Sequence, residues 1–300
     1  MAKAKQLIVI VGPTAIGKTS LSIRLAQELK CPILSADSRQ FFKEMAIGTA
    51  KPTSEELAQA EHHFVDFLSI EDQYSAGHFE RDVLERLETI FRTHDHAILV
   101  GGSGLYINAV LFGFDDIPSD LQIREELMNR LEAEGLQTLV DELVGLDLEV
   151  SEFLDLNNTQ RVVRALEICL ASGKPYSSFR TNSMKERDFA VRVIGLDDDR
   201  QAIYDRINKR VDQMIEQGLV EEAKTLYPKR NLNALKTVGY REIFQHLDGE
   251  ITLEEAIELI KKNTRNFAKR QLTWFRKNEA VEWVRAHNTP DILNFIRKEY

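Results

Sequence analysis

The chain has 300 residues, 43% of them hydrophobic and 29% charged, with a net charge of −9. A chain of this length buries enough surface to fold without covalent staples, and its two distant cysteines, Cys31 and Cys169, exclude a disulfide framework and a zinc ribbon. No apolar run reaches the roughly 20 residues that span a bilayer, residues 7–11 are too short for a signal peptide, and the acidic surplus argues at first against an anionic partner. A reducing, cytoplasmic setting is expected.

Short apolar runs at 7–11, 32–35, 64–68, 97–100, 191–196 and 281–284 predict strands. Helical spacing fills most of the gaps. It covers 19–29, and from Ser75, a predicted N-cap, Phe79, Val83, Leu87 and Ile90 recur at three and four. Strands alternating with helices give an α/β fold with a parallel sheet core flanked by helices. Between about 117 and 188 the alternation stops. Helices are predicted there over 120–134, 136–144 and 159–172, the last ending at Gly173-Lys174-Pro175. The reading is a core of 1–117 and 188–300, helical toward its C-terminal part, with an all-helical insertion at 118–187.

The strongest local signal is Gly12-Pro13-Thr14-Ala15-Ile16-Gly17-Lys18-Thr19, a G-x-x-x-x-G-K-[ST] loop between a buried strand and a helix. Glycine lets the backbone wrap phosphate oxygens, and the amides of Thr14, Ala15, Ile16 and Gly17 with the following helix start supply positive potential. Lys18 adds a mobile cation, and the Thr19 hydroxyl suits Mg²⁺. The motif marks a polyphosphate site without specifying a nucleotide. Most such NTPases place an acid at the end of a later strand, but residues 97–100 run into Gly101-Gly102-Ser103-Gly104. The nearest suitable acid is Asp37, in Asp37-Ser38-Arg39-Gln40 after the second strand, where a turn or cap role is the competing explanation. Ligands of parallel sheets sit at the carboxyl ends of strands, so Asp37, Ser103 and the phosphate loop are expected in one cleft.

These blocks, with Gly48-Thr49-Ala50-Lys51-Pro52, Gln160-Arg161-Val162-Val163-Arg164, Val238-Gly239-Tyr240-Arg241-Glu242 and Ala268-Lys269-Arg270-Gln271-Leu272-Thr273-Trp274, resemble the tRNA dimethylallyltransferases in colinear order. The chain is similar to the shorter bacterial form, since two isolated cysteines leave no zinc finger. Ser103 stands where Thr is common, which keeps a hydroxyl. The resemblance implies Mg²⁺-dependent transfer of a dimethylallyl group from dimethylallyl diphosphate to the exocyclic amine of the adenosine 3′ to the anticodon. The partners are then that diphosphate and a tRNA anticodon stem-loop, with no membrane, and a monomer is expected. It also implies Asp37 as the base, with Ser103 touching either the adenine or Asp37. Allylic diphosphates ionise readily, and a carboxylate accepts the proton once the new C–N bond has made the nitrogen acidic. Arg210 is a second candidate cation for diphosphate, against a solvated helix charge.

The target base must leave its stack. Asp37, Ser38, Arg39, Gln40 and Ser103 are candidate contacts to it. Arg124, Gln160, Arg161, Arg164, Gly239, Tyr240 and Arg241 are candidate contacts to the anticodon loop, with internal packing the competing explanation for Tyr240. Trp274 and Trp283 are expected to pack internally, and His62-His63 lacks a third ligand. Alternatives are a P-loop small-molecule kinase and an RNA-binding NTPase. The charge is uneven: residues 261–277 hold seven Lys or Arg and no acid, leaving −16 over the other 283 residues. That pattern fits a confined basic cleft on a repelling body.

Overall fold

A computed structural model describes residues 5–113, 120–179 and 185–286. Six parallel strands form one sheet: β1 (Gln6–Val11), β2 (Ile33–Ser35), β3 (His62–His63), β4 (His96–Val100), β5 (Ala190–Asp197) and β6 (Val281–Arg285), in the spatial order β3-β2-β4-β1-β5-β6. Central β1 is apolar on both faces because both are covered; Leu7 to Val11 have no exposed surface. Its neighbours are β4, with Ile8 opposite Ile98, and β5, with Ile8 opposite Arg192.

The helices are α1 (Lys18–Leu29), α2 (Ser54–Leu57), α3 (Ala76–Ile90), α4 (Gly104–Phe112), α5 (Leu121–Glu134), α6 (Leu136–Leu146), α7 (Val150–Phe153), α8 (Thr159–Ser172), α9 (Arg200–Glu216), α10 (Leu219–Leu226), α11 (Tyr240–Leu247) and α12 (Leu253–Phe275). Ser75 caps α3 through the His78 amide. Alternate strand residues Ile8, Ile10, Ile33, Ile98 and Ile194 form one core with Leu21 and Leu25 of α1, Ile203 and Ile207 of α9 and Ala268 of α12. A second core joins Met45, Val211, Leu219, Leu235, Tyr240, Ile243 and Ile260. No described helix is long and apolar enough to cross a membrane.

The chain divides into two compact units, 1–111 with 187–300, and 112–186. The second is wholly helical among its described residues. Leu127, Leu139, Leu143, Val162 and Leu166 make its core, and Gly173, left-handed at φ 67°, ends α8.

The predicted strand over 64–68 is a correction. Strand β3 ends at His63, because Phe64 and Asp66 have φ of 62° and 54°, incompatible with extended backbone. The apolar side chains there serve a cluster instead: Phe67 meets Phe41 and Tyr74 edge-on at 5.4 and 5.3 Å. A single bridge, Phe42 to Leu68, resumes the pairing.

Candidate functional site

The phosphate loop leaves β1 through Gly12 and enters α1 at Gly17, with φ of 146° and 100°. A Cβ on Gly12 would lie 2.8 Å from the Leu196 carbonyl of β5, so the loop fits under that strand only with glycine. Ala15 is also left-handed, at φ 61°. Arg206 of α9 steadies it, donating from Nε to the Ala15 carbonyl at 3.1 Å while its terminal nitrogen pairs with Asp198 at 2.8 Å.

The loop borders a cavity of about 740 Å³ at the carboxyl edge of the sheet. Thr14 to Thr19, Asp37, Gln40 and Arg210 all line it, as do residues 49–57, Met214 and Phe267. Lys18 donates to the carbonyls of Gly12 and Pro13 at 3.0 and 2.8 Å. Burial pushes its ammonium down to about 8; the Asp37 charge opposes this and the Arg210 charge adds to it. Arg210 donates to the Thr14 hydroxyl at 3.3 Å, and burial lowers its guanidinium below the ordinary value, against the pull of Asp37. Two cations beside one carboxylate, next to a ring of amides, form an anion site that repels its own positive charges until an anion arrives.

Asp37 both forms a turn and faces the cavity. Its Oδ1 accepts from the Arg39 amide at 3.1 Å, an Asx turn, while the carboxylate borders the cavity. The turn lies against the end of β4: the Ala36 amide donates to the Val100 carbonyl at 2.7 Å, and the Ser103 amide donates to the Ala36 carbonyl at 3.3 Å. A Cβ on Gly101 would lie 2.3 Å from that Ala36 carbonyl. Asp37 thus lies just past β2, beside the end of β4, which carries no acid of its own.

Most of the other candidate contacts have partners within the fold. Ser103 bonds Ser38 rather than Asp37, accepting from the Ser38 amide at 3.0 Å and donating to the Ser38 hydroxyl at 3.1 Å. Arg39 points to the carbonyls of Asn233 and Ala234, at 3.0 and 2.9 Å, and works as a tether. Tyr240 has no exposed surface, so it offers no platform to RNA. Gly239 turns the chain into α11, and its amide donates to Glu242 at 2.8 Å. Arg241 is more than half exposed and 3.5 Å from Glu242. In the helical unit, Gln160 and Arg161 are exposed. Arg164 donates to the buried Glu167 at 2.6 Å, and Arg124 lies 3.9 Å from the same carboxylate. These two therefore serve partly to neutralise a buried acid. Trp274 corrects the internal packing expected of it: 40% of it is exposed, and its indole lies where a Gly104 Cβ would fall, at 2.3 Å. Trp283 is half-buried, with the Arg276 guanidinium 5.8 Å from its ring.

The basic segment of α12 is partly spent on ion pairs: Lys261 with Asp212 at 2.8 Å and Arg276 with Asp197 at 2.8 Å. Lys262, Lys269 and Arg270 stay exposed.

A family model described as IPP transferase matches residues 40–278. The chain belongs to the IPP transferase family. It is 54% identical to a tRNA dimethylallyltransferase of Christiangramia forsetii, covering 98% of both chains, and 53% identical to one of Flavobacterium johnsoniae, covering 93% of both. Among solved structures, a tRNA isopentenylpyrophosphate transferase of Bacillus halodurans superposes with a TM-score of 0.71 at 40% identity, covering 98% of this chain and 96% of that one. A eukaryotic dimethylallyltransferase acting on tRNA reaches 0.78 at 27% identity, over 94% of this chain and 74% of that one.

Further side chains hold the site together. Gln271 is buried on α12. Its Oε1 accepts from the Thr14 amide at 2.9 Å and its Nε2 donates to the Gly102 carbonyl at 2.9 Å, joining the phosphate loop to the glycine turn after β4. Besides its place in the 268–274 block, its sequence signal is a polar residue in an apolar register of a helix. Gln40 donates to the carbonyls of Thr49 and Ala50, at 3.2 and 3.1 Å, and so shapes the cavity wall. Lys51 is held by the Phe42 carbonyl at 2.8 Å and by Asp66.

Proposed function

We propose that this protein transfers the dimethylallyl group of dimethylallyl diphosphate to the exocyclic amine of the adenosine 3′ to the anticodon of tRNA. The observation that carries the reading is one cavity bordered by the phosphate loop, Lys18, Arg210 and Asp37 together, in a chain whose curated relatives are tRNA dimethylallyltransferases.

Loop amides, Lys18 and Arg210 bind the diphosphate and take up its growing charge as the allylic C–O bond breaks. The adenine nitrogen forms the new C–N bond, and its released proton passes to the Asp37 carboxylate. Ser103 acts through Ser38, fixing the turn that aims Asp37. The donor set suits Mg²⁺: Thr19 offers one hard oxygen at the cavity, and no group of three His, Cys, Asp or Glu occurs among the described residues. Magnesium rarely has an all-protein cage and shares ligands with substrate phosphates. Thr19 and diphosphate oxygens would hold it, and it would neutralise leaving-group charge. The exposed Gln160 and Arg161 and the α12 cations Lys262, Lys269 and Arg270 are the proposed RNA-facing groups.

The test supplies anticodon stem-loop RNA, Mg²⁺ and either dimethylallyl diphosphate or ATP. The reading requires a mass gain of one dimethylallyl group on the RNA with the prenyl donor alone. ATP turnover without prenylation would overturn it.

A further inference from the structure

Segment 46–52 forms part of the cavity wall, with Ile47, Ala50 and Pro52 among its lining residues. Its backbone is gripped from behind. Three successive amides, of Ala46, Ile47 and Gly48, donate to the Glu222 carboxylate of α10 at 3.0, 2.8 and 2.9 Å. The same carboxylate accepts from the Tyr240 hydroxyl at 2.7 Å. Tyr240 is fully buried, and a Cβ on Gly48 would lie 2.6 Å from its ring. Burial and the Glu222 charge drive the phenol well above its ordinary value, so it remains a donor. Gln40 then holds the next two carbonyls from the other side.

We infer that Glu222 and Tyr240 are positioning residues for the transfer, holding the apolar wall against which the allylic part of the donor lies. The inference rests on the reading of the cavity as the prenyl-donor site. Charge-assisted bonds to backbone amides are roughly twice as strong as neutral ones, and convergent amides fix a loop's path. The hydrogen bonds of this clamp go to segment 46–50, so its loss spares the diphosphate half of the donor and harms the hydrocarbon half.

The experiment compares Glu222→Gln and Tyr240→Phe with the full-length wild type. It measures KM and kcat for dimethylallyl diphosphate at saturating stem-loop RNA, the Kd of inorganic diphosphate, and thermal stability. For Glu222→Gln, KM for the prenyl donor should rise about tenfold while the diphosphate Kd stays within about twofold. Tyr240→Phe, which removes one oxygen, should show the same split at about threefold. It carries the test if the Glu222 variant does not fold. Unchanged KM in the folded variants, or KM and Kd rising in parallel, would overturn the inference. An inactive wild type would overturn the functional reading and this inference with it.

Discussion

Replacing Gln271 with alanine removes one side chain that serves two loops. The Thr14 amide and the Gly102 carbonyl each lose their partner at 2.9 Å, and Gln271 itself is 6% exposed, so water reaches the gap poorly. An orphaned buried polar group costs about 1–3 kcal/mol. Thr14 borders the cavity and recovers part of its loss from solvent. The sum is then about 2–4 kcal/mol, or a fall of roughly 3–6 °C in Tm for a chain of this size. Gln271→Glu separates charge from shape. It keeps the acceptor for Thr14 but sets an oxygen against the Gly102 carbonyl and a negative charge beside the phosphate loop. It should weaken inorganic diphosphate binding more than Gln271→Ala does, although it leaves no void. Thermal denaturation and calorimetric titration with inorganic diphosphate check both variants. A Gln271→Ala protein with unchanged Tm and diphosphate affinity would refute the bridging role.

Asp37→Ala should retain inorganic diphosphate binding and lose transfer; normal turnover by this variant would remove Asp37 as the base. The Lys18 ammonium, lowered to about 8 by burial, should make diphosphate affinity of the free protein fall as pH rises past about 8, and binding should take up protons, which titration in buffers of different ionisation enthalpy measures. The sign for folding is opposite. The folded value lies below the unfolded one, so the penalty of charged Lys18 is fully present below pH 8 and is relieved between there and the ordinary lysine range. Alkaline loss of affinity should therefore occur without a loss of stability assignable to Lys18. Arg206→Ala should raise the diphosphate Kd by freeing the left-handed Ala15, with little change in KM for RNA; an unchanged Kd would count against it.

The parallel sheet was legible because buried strands at 7–11 and 97–100 read as unbroken apolar runs, and the phosphate loop because its glycines sit at fixed spacing. The insertion helices were legible from their periodicity and from Gly173. What remained hidden depends on partners far apart in sequence. Gln271 and Thr14 are separated by 257 positions, and Glu222 reaches segment 46–48 across about 175. Neither spacing carries a local signal. Residues 64–68 misled because an apolar run satisfies an aromatic cluster as well as it satisfies a strand. Tyr240 misled because a polar-tipped ring beside an arginine reads as surface, whereas its hydroxyl is spent inside on Glu222.

The most direct measurement is a single-turnover reaction of the wild-type protein with dimethylallyl diphosphate and anticodon stem-loop RNA. Released diphosphate is counted against modified nucleosides after complete digestion. The account predicts one diphosphate for each prenylated adenosine, all at the position 3′ to the anticodon and all on the exocyclic amine. Diphosphate release without a prenylated adenosine, or prenylation at another site, would contradict it.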